Sequence, residues 1–254
     1  MNLGFRFKHF FVRHDRCAMK VGTDGVLLGA WTPCEQSEIR NGKYKISNQK
    51  SKISNLKSKI LDIGTGSGLI ALMLAQRCPE AQIAAIDIDP DAVSQARDNF
   101  AASPWADRLH VTQCALQEWQ EKDYDLIVSN PPYFVNSLKN PDDKRCLARH
   151  TDSLPFSDLI AESAKRLVPN GVLSVIAPME AEHLLIGLAS ENRLTCIKKC
   201  EVHSKPGYPA KRVMIAWQRN NDSNHIPEIP TYHLTLEDDY GSRSLDYQLL
   251  TRDF

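Results

Sequence analysis

Two short stretches of this chain bring chemistry-bearing residue types together. The first is Asn130-Pro131-Pro132-Tyr133, which follows an apolar run ending at Ser129. An asparagine side-chain oxygen and the carbonyl of a proline-stiffened backbone are two fixed acceptors. They suit an exocyclic amine whose lone pair is delocalised, because holding both N–H groups makes that lone pair available. Tyr133 adds an aromatic face on which a planar base can stack, worth about 1–3 kcal/mol. The second stretch is Asp62-Ile63-Gly64-Thr65-Gly66-Ser67-Gly68. Its glycines let the backbone turn sharply and let a ligand lie against it. Asp87 follows by about 20 residues, the interval at which nucleotide-binding folds place a carboxylate on ribose hydroxyls. Asp89, two residues on, reads as the cap of a helix that begins at Pro90. NAD, FAD and S-adenosylmethionine all carry a ribose, so these residues leave the nucleotide open.

The elements around these stretches alternate. Strands are expected at residues 60–63, 82–88, 109–113, 124–129, 172–177, 194–202 and 213–218. Helices are expected at 69–78, 91–102, 156–168 and 179–192, with Pro169-Asn170-Gly171 closing the third. Strands separated by helices of this length indicate βαβ units and a mostly parallel sheet. The last two strands have no helix between them, which indicates an antiparallel hairpin at the sheet edge. Open sheets of this kind bind ligands at the carboxyl ends of their strands, which puts Asn130, the glycine turn and Asp87 on one edge.

The chain has 254 residues, with 31 Lys+Arg balanced by 31 Asp+Glu. Zero formal charge excludes a uniformly basic nucleic-acid coat but not a local basic patch. Residues 1–20 hold Arg6, Lys8, Arg13, Arg16 and Lys20 against Asp15 alone, with Phe7, Phe10 and Phe11 interleaved. Each such residue read alone fits an exposed charge or a core aromatic better than an RNA contact; together they suggest RNA phosphates and stacked bases. The seven cysteines are scattered and include no Cys-x-x-Cys pair, which disfavours a disulfide framework or a zinc site and fits a reducing, cytoplasmic setting. No metal is expected. The N-terminus carries charges where a signal peptide has an apolar run, and no apolar run is long enough for a membrane span. Lys45–Ser51 and Lys52–Ser58 form a seven-residue tandem repeat of lysine-rich, mobile composition. The expected organisation is a basic and aromatic segment (1–35), a lysine-rich loop insertion (36–59), a core (60–219), and a linker with a strand and helix tail (220–254) packed on the same domain.

Asp-x-Gly-x-Gly-x-Gly together with Asn-Pro-Pro-Tyr resembles the class I S-adenosylmethionine-dependent methyltransferases that act on amide or exocyclic nitrogens. The run from Phe7 to Trp31 narrows this, as do Ser103-Pro104-Trp105-Ala106, Leu147-Ala-Arg-His-Thr151 and Lys211-Arg212-Val213. They closely resemble bacterial tRNA adenine-N6 methyltransferases, which modify the adenine 3′ of the anticodon (position 37) in a valine tRNA. The resemblance spans nearly the whole chain except residues 36–60. It implies a Rossmann-like α/β fold with a seven-stranded, mostly parallel sheet, and S-adenosylmethionine as cofactor. In this reading Gly64, Thr65, Gly66 and Gly68 carry the methionine end and Asp87 the ribose. Thr23 and Asp24 close over the cofactor, and Asp62, Ile88 and Asn130 complete its contacts. Asn130, Pro131, Pro132 and Tyr133 hold the target amine. Arg149, Lys205, Lys211 and Arg212 join the N-terminal cations as RNA contacts, and the partner is a tRNA anticodon stem-loop met by a monomer. Where many relatives place an adenine-contacting acid, this chain has Ala115, so either a backbone carbonyl serves or the cofactor is held more weakly. The residues also fit other Asn-Pro-Pro-Tyr enzymes, acting on release-factor glutamine, rRNA guanine or DNA adenine. A nucleotide-binding oxidoreductase and a non-catalytic RNA-binding module are the readings from other classes.

Overall fold

The computed structural model describes residues 3–34, 58–132, 154–220 and 231–254. A small antiparallel hairpin comes first, β1 (Gly4–Arg6) and β2 (Phe11–Arg13), followed by α1 (Thr23–Trp31). Then come β3 (Lys59–Ile63), α2 (Leu69–Arg77), β4 (Gln82–Asp87), α3 (Pro90–Ala101), β5 (Leu109–Gln113) and β6 (Tyr124–Ser129). The second half is α4 (Phe156–Arg166), β7 (Leu167–Pro178), α5 (Glu182–Glu191), β8 (Leu194–His203), β9 (Ala210–Arg219), β10 (Thr231–Thr235) and α6 (Leu245–Thr251).

The main sheet has eight strands in the order β10-β8-β9-β7-β6-β3-β4-β5. Its seven expected strands are present and mostly parallel. Two expectations are corrected. β10 is an eighth strand, pairing parallel to β8, so the β8–β9 hairpin is not the edge. Pro169-Asn170-Gly171 does not end a helix; α4 stops at Arg166 and the tripeptide lies inside β7. There the β6–β7 register shifts between Tyr124 and Leu126, and Asn170 takes a positive φ of 65°. A Cβ on Gly171 would stand 2.9 Å from the Tyr124 carbonyl, so the bulge admits only glycine.

Helices cover both faces of the sheet, with one apolar cluster on each. On one face α1 is apolar all round and buried almost throughout, as a helix trapped between other elements must be. It approaches α2 so closely that a Cβ on Gly29 would lie 2.7 Å from the Met73 sulfur. α6 and the N-terminal hairpin pack on the same side. On the other face α4 presents Leu159, Ile160 and Ala164 inward, and the buried Arg166 guanidinium donates to the carbonyls of Leu116 and Trp119. The lysine-rich insertion lies outside the described residues apart from Ser58 and Lys59, the latter opening β3. Among the described residues no disulfide forms, and no helix is long and apolar enough to cross a membrane.

Candidate functional site

Strand register builds the site. Ser129 of β6, Ile63 of β3 and Ile86 of β4 lie in one row across three parallel strands. The next row at the carboxyl edge is therefore Asn130, Gly64 and Asp87. The Ser129 hydroxyl donates to the Ile63 carbonyl at 2.9 Å and fastens the row where the strands splay.

The glycine turn is set by its own backbone. Gly64, Gly66 and Gly68 have φ of 68°, 55° and 81°, the left-handed region that costs other residues most. A Cβ on Gly64 or Gly66 would meet nothing within 4 Å, so those positions face open space. At Gly68 a Cβ would stand 2.5 Å from the Phe100 ring, so this glycine serves packing as well as the turn. The Gly64 and Thr65 amides both donate to the Ile86 carbonyl, at 2.9 and 3.1 Å.

Two carboxylates flank the turn. Asp87 accepts from the Gly66 amide at 2.8 Å and the Asp89 amide at 3.0 Å, and burial pushes its pKa up. Asp62 is fully buried, and one oxygen accepts from the Thr65 hydroxyl (2.7 Å) and the Ala71 amide (3.2 Å). Its other oxygen has no partner among the described residues. Burial pushes the Asp62 carboxyl up to about 7 despite those two bonds. Asp89 caps α3, accepting from the Asp91 amide at 2.9 Å. Ile88 is 49% exposed beside Asp87, unusual for an isoleucine. The Ala115 carbonyl accepts from the Glu118 and Trp119 amides, so it is engaged in its own turn.

Thr23 and Asp24 open α1 next to this edge. A Cβ on the following residue, Gly25, would stand 3.0 Å from Leu69, which directly follows the glycine turn. The Asp24 carboxylate accepts from Arg212 Nε at 2.9 Å. A residue expected at the cofactor and one expected at RNA thus hold each other.

The other expected RNA contacts divide. Arg6 lies over the Phe11 ring, 4.9 Å from its centroid. Arg13 pairs with Asp15, Arg16 with Asp98 and Ser94, and Lys205 with Glu237. Lys8 donates to the Arg252 carbonyl. Lys20 and Lys211 are exposed. An open groove of about 790 Å³ runs between the hairpin and the end of α3, lined by Arg6, His9, Phe11, Arg13 and Asp98 among others. Phe7 and Phe10 are not available to stack bases: both are buried, with rings stacked 4.6 Å apart, because the hairpin turns its apolar side onto Trp105 and the core. Pro131 is buried and Pro132 exposed, whereas Tyr133, Cys146, Arg149 and His150 lie outside the described residues.

Sequence reasoning missed Asn99. Its buried amide donates to the Ser67 and Arg13 carbonyls, both at 2.8 Å, and accepts from the Arg13 amide at 2.9 Å. Gln95, one turn earlier, accepts from the Arg16 amide at 3.0 Å. The available signal was two amides four apart among Ala92, Ala96 and Phe100, on a face that otherwise reads as core.

Residues 47–191 match the family model described as the Methyltransferase small domain. The protein named tRNA1(Val) (adenine(37)-N6)-methyltransferase of Parabacteroides distasonis is 44% identical over 253 residues, covering 98% of this chain and 96% of that one. The one so named in Phocaeicola vulgatus is 46% identical over 251 residues, with the same coverage. Among solved structures, a predicted O-methyltransferase from Agrobacterium tumefaciens superposes with a TM-score of 0.63 at 16% identity, covering 91% of this chain and 96% of that one, a likeness of fold. With geometry and full-length similarity in agreement, this chain belongs to the family of tRNA1(Val) (adenine(37)-N6)-methyltransferases.

Proposed function

We propose that this protein methylates N6 of adenine 37 in a valine tRNA with S-adenosylmethionine as methyl donor. The observation that carries the reading is the single row of Asn130, Gly64 and Asp87, which sets an amine-holding residue beside a nucleotide turn. The chain's residues suit the cofactor's groups. The unpartnered buried oxygen of Asp62 suits a cationic end, since a buried acceptor left alone is costly. Gly64 and Gly66 leave room for a ligand against the backbone. Asp87 retains lone pairs for ribose hydroxyls, and Ile88 offers an exposed apolar surface for a planar base. Thr23 and Asp24 border the same space.

When bound, S-adenosylmethionine supplies an electrophilic methyl on a sulfonium whose departure leaves a neutral thioether. The protein's share is positioning, which is worth several powers of ten in rate when reacting atoms are held in line. The Asn130 oxygen and the Pro131 carbonyl accept from the two N–H groups of the adenine amine, and Tyr133 stacks the ring. The nitrogen gains the methyl and releases one of its protons to solvent. No residue need become covalently attached. The target base leaves its stack at low cost because an anticodon loop is already single-stranded. Arg6, Lys8, Arg13, Arg16, Lys20, Arg149, Lys205, Lys211 and Arg212 supply positive charge for its phosphates, Arg6 and Arg13 lining the 790 Å³ groove. In this reading the enzyme acts as a monomer in the cytoplasm, where its RNA is found.

Nucleoside analysis of tRNA from cells with and without the gene tests this. N6-methyladenosine should disappear with the gene and return with the wild type but not with Asn130→Ala. An unchanged nucleoside profile would overturn the assignment.

A further inference from the structure

β10 and β8 pair in parallel, with Glu201 opposite His233 and His203 opposite Thr235. Residues two apart on a strand share a face, so Glu201, His203 and His233 converge. One ligand atom from each lies within 4.8 Å of the others. We propose that this triad is a binding site for a first-row divalent cation, zinc foremost, that clasps β10 to the sheet.

Three features go beyond proximity. A zinc ion with tetrahedral bonds of about 2.0–2.1 Å keeps its ligands about 3.3 Å apart. His203 Nε2 lies 3.2 Å from His233 Nδ1, and His233 Nδ1 lies 3.6 Å from a Glu201 oxygen. Second, His203 Nδ1 lies 2.7 Å from the Tyr208 carbonyl. A carbonyl only accepts, so Nδ1 carries the proton and the neutral ring directs its Nε2 lone pair at the other two ligands. Metal-bound histidines are commonly oriented in this way. Third, Lys199 does not fill the place. Its ammonium bonds Glu182 at 2.6 Å and stands 3.7 Å from the Glu201 oxygen facing away from the histidines. Without an ion, the two ring nitrogens stand at hydrogen-bond distance, 3.2 Å; the ion would replace that hydrogen bond. Two imidazoles and a carboxylate select zinc, nickel or copper over magnesium and calcium. The fourth position faces solvent, because His233 is exposed. β7 and β9 separate the triad from β6 and the cofactor row, so the ion is a structural clasp with no part in methyl transfer.

The test uses the full-length protein, stripped with a chelator and desalted, then titrated with Zn2+ and with Co2+. One ion should bind per chain. Saturating Zn2+ should raise Tm by about 5–10 °C at a hundredfold excess over Kd. His203→Ala with His233→Ala should weaken binding by at least about tenfold and abolish that shift. The Co2+ adduct should show visible bands without the intense near-ultraviolet band of a cobalt–thiolate bond. A thiolate band, binding unchanged in the double variant, or no saturable binding would overturn the proposal. Should the double variant fold poorly, the Co2+ spectrum of the wild type decides.

Discussion

The two halves of the sheet differ in where their polar groups are concentrated. On the β5-β4-β3-β6 side the strands have five or six residues, Gly64 and Gly66 border open space after β3, and the buried Asp62 keeps an oxygen with no partner among the described residues. On the β7-β9-β8-β10 side the first three strands run to ten or twelve residues and β10 to five, and charged groups meet one another, as in Lys199 with Glu182 and Glu201. The first half gathers an unpartnered carboxylate oxygen and three left-handed glycines into one turn, where a ligand can repay their cost, whereas the second holds left-handed Asn170 in a bulge and Ser174 buried with no partner among the described residues. The second half braces the first. Substitutions on the first side should therefore damage binding with little loss of stability, and those on the second the reverse.

Gly68 breaks this division most strongly, because it lies on the ligand side yet its Cα faces Phe100. Gly68→Ala combines a left-handed backbone penalty with overpacking, roughly 2–4 kcal/mol together. Thermal melting should show Tm falling on the order of 10 °C. Gly66→Ala, with open space around it, should lose less Tm but more cofactor affinity.

Asp87→Ala sharpens the comparison. If Asp87 accepts from the ribose hydroxyls as proposed, its removal should weaken S-adenosylmethionine by about 10–100-fold in calorimetry, with Tm of the ligand-free protein changed far less than by Gly68→Ala.

Asp62 gives a pH signature. Its folded pKa, about 7, lies above the ordinary value of 3.8. Between those values the folded state binds the extra proton, so this group's contribution to stability declines as pH rises from about 4 to about 7 and is level above that. Binding of a cationic ligand favours the ionised carboxylate and runs the other way. Cofactor affinity should rise up to about tenfold from pH 6 to pH 7.5, and Asp62→Asn should remove most of that slope.

The smallest effect is expected at the Arg212–Asp24 pair, which joins the two halves. It is about one third exposed, so a double-mutant cycle on Tm should give less than about 1 kcal/mol of coupling. A larger effect on tRNA affinity in Arg212→Ala than in Asp24→Ala would show that the arginine serves RNA as well as α1.

Local signals made the ligand half legible. The strand–turn–helix of Asp62–Gly68, the spacing to Asp87, the Asp89 cap and the Asn-Pro-Pro motif each occupy a few consecutive residues, and strand parity then aligns them. What escaped depends on contacts across the chain. Phe7 and Phe10 read as base-stacking aromatics among cations until the hairpin buries them against Trp105. Pro169-Asn170-Gly171 has turn chemistry, yet β6 holds it as a bulge in a strand. Asn99 looks like any helical amide, and its role comes from Ser67 and Arg13, both distant in sequence. β10 is too short to announce its partner, and with it the meeting of His233 with His203 was hidden.

The position of β9 between β7 and β8 also governs how the chain comes into being. During synthesis β8 emerges with no neighbour to pair with, since both its neighbours, β9 and β10, are made after it. α1, produced early, waits longer still for α6, near the last residue. The sheet therefore keeps an unpaired border until β9 and β10 have been made, a stage at which such borders invite association with other chains. A ribosome stalled before residue 219 would release a protein with its nucleotide turn and Asn130 already encoded, but with the supporting half of the sheet still open.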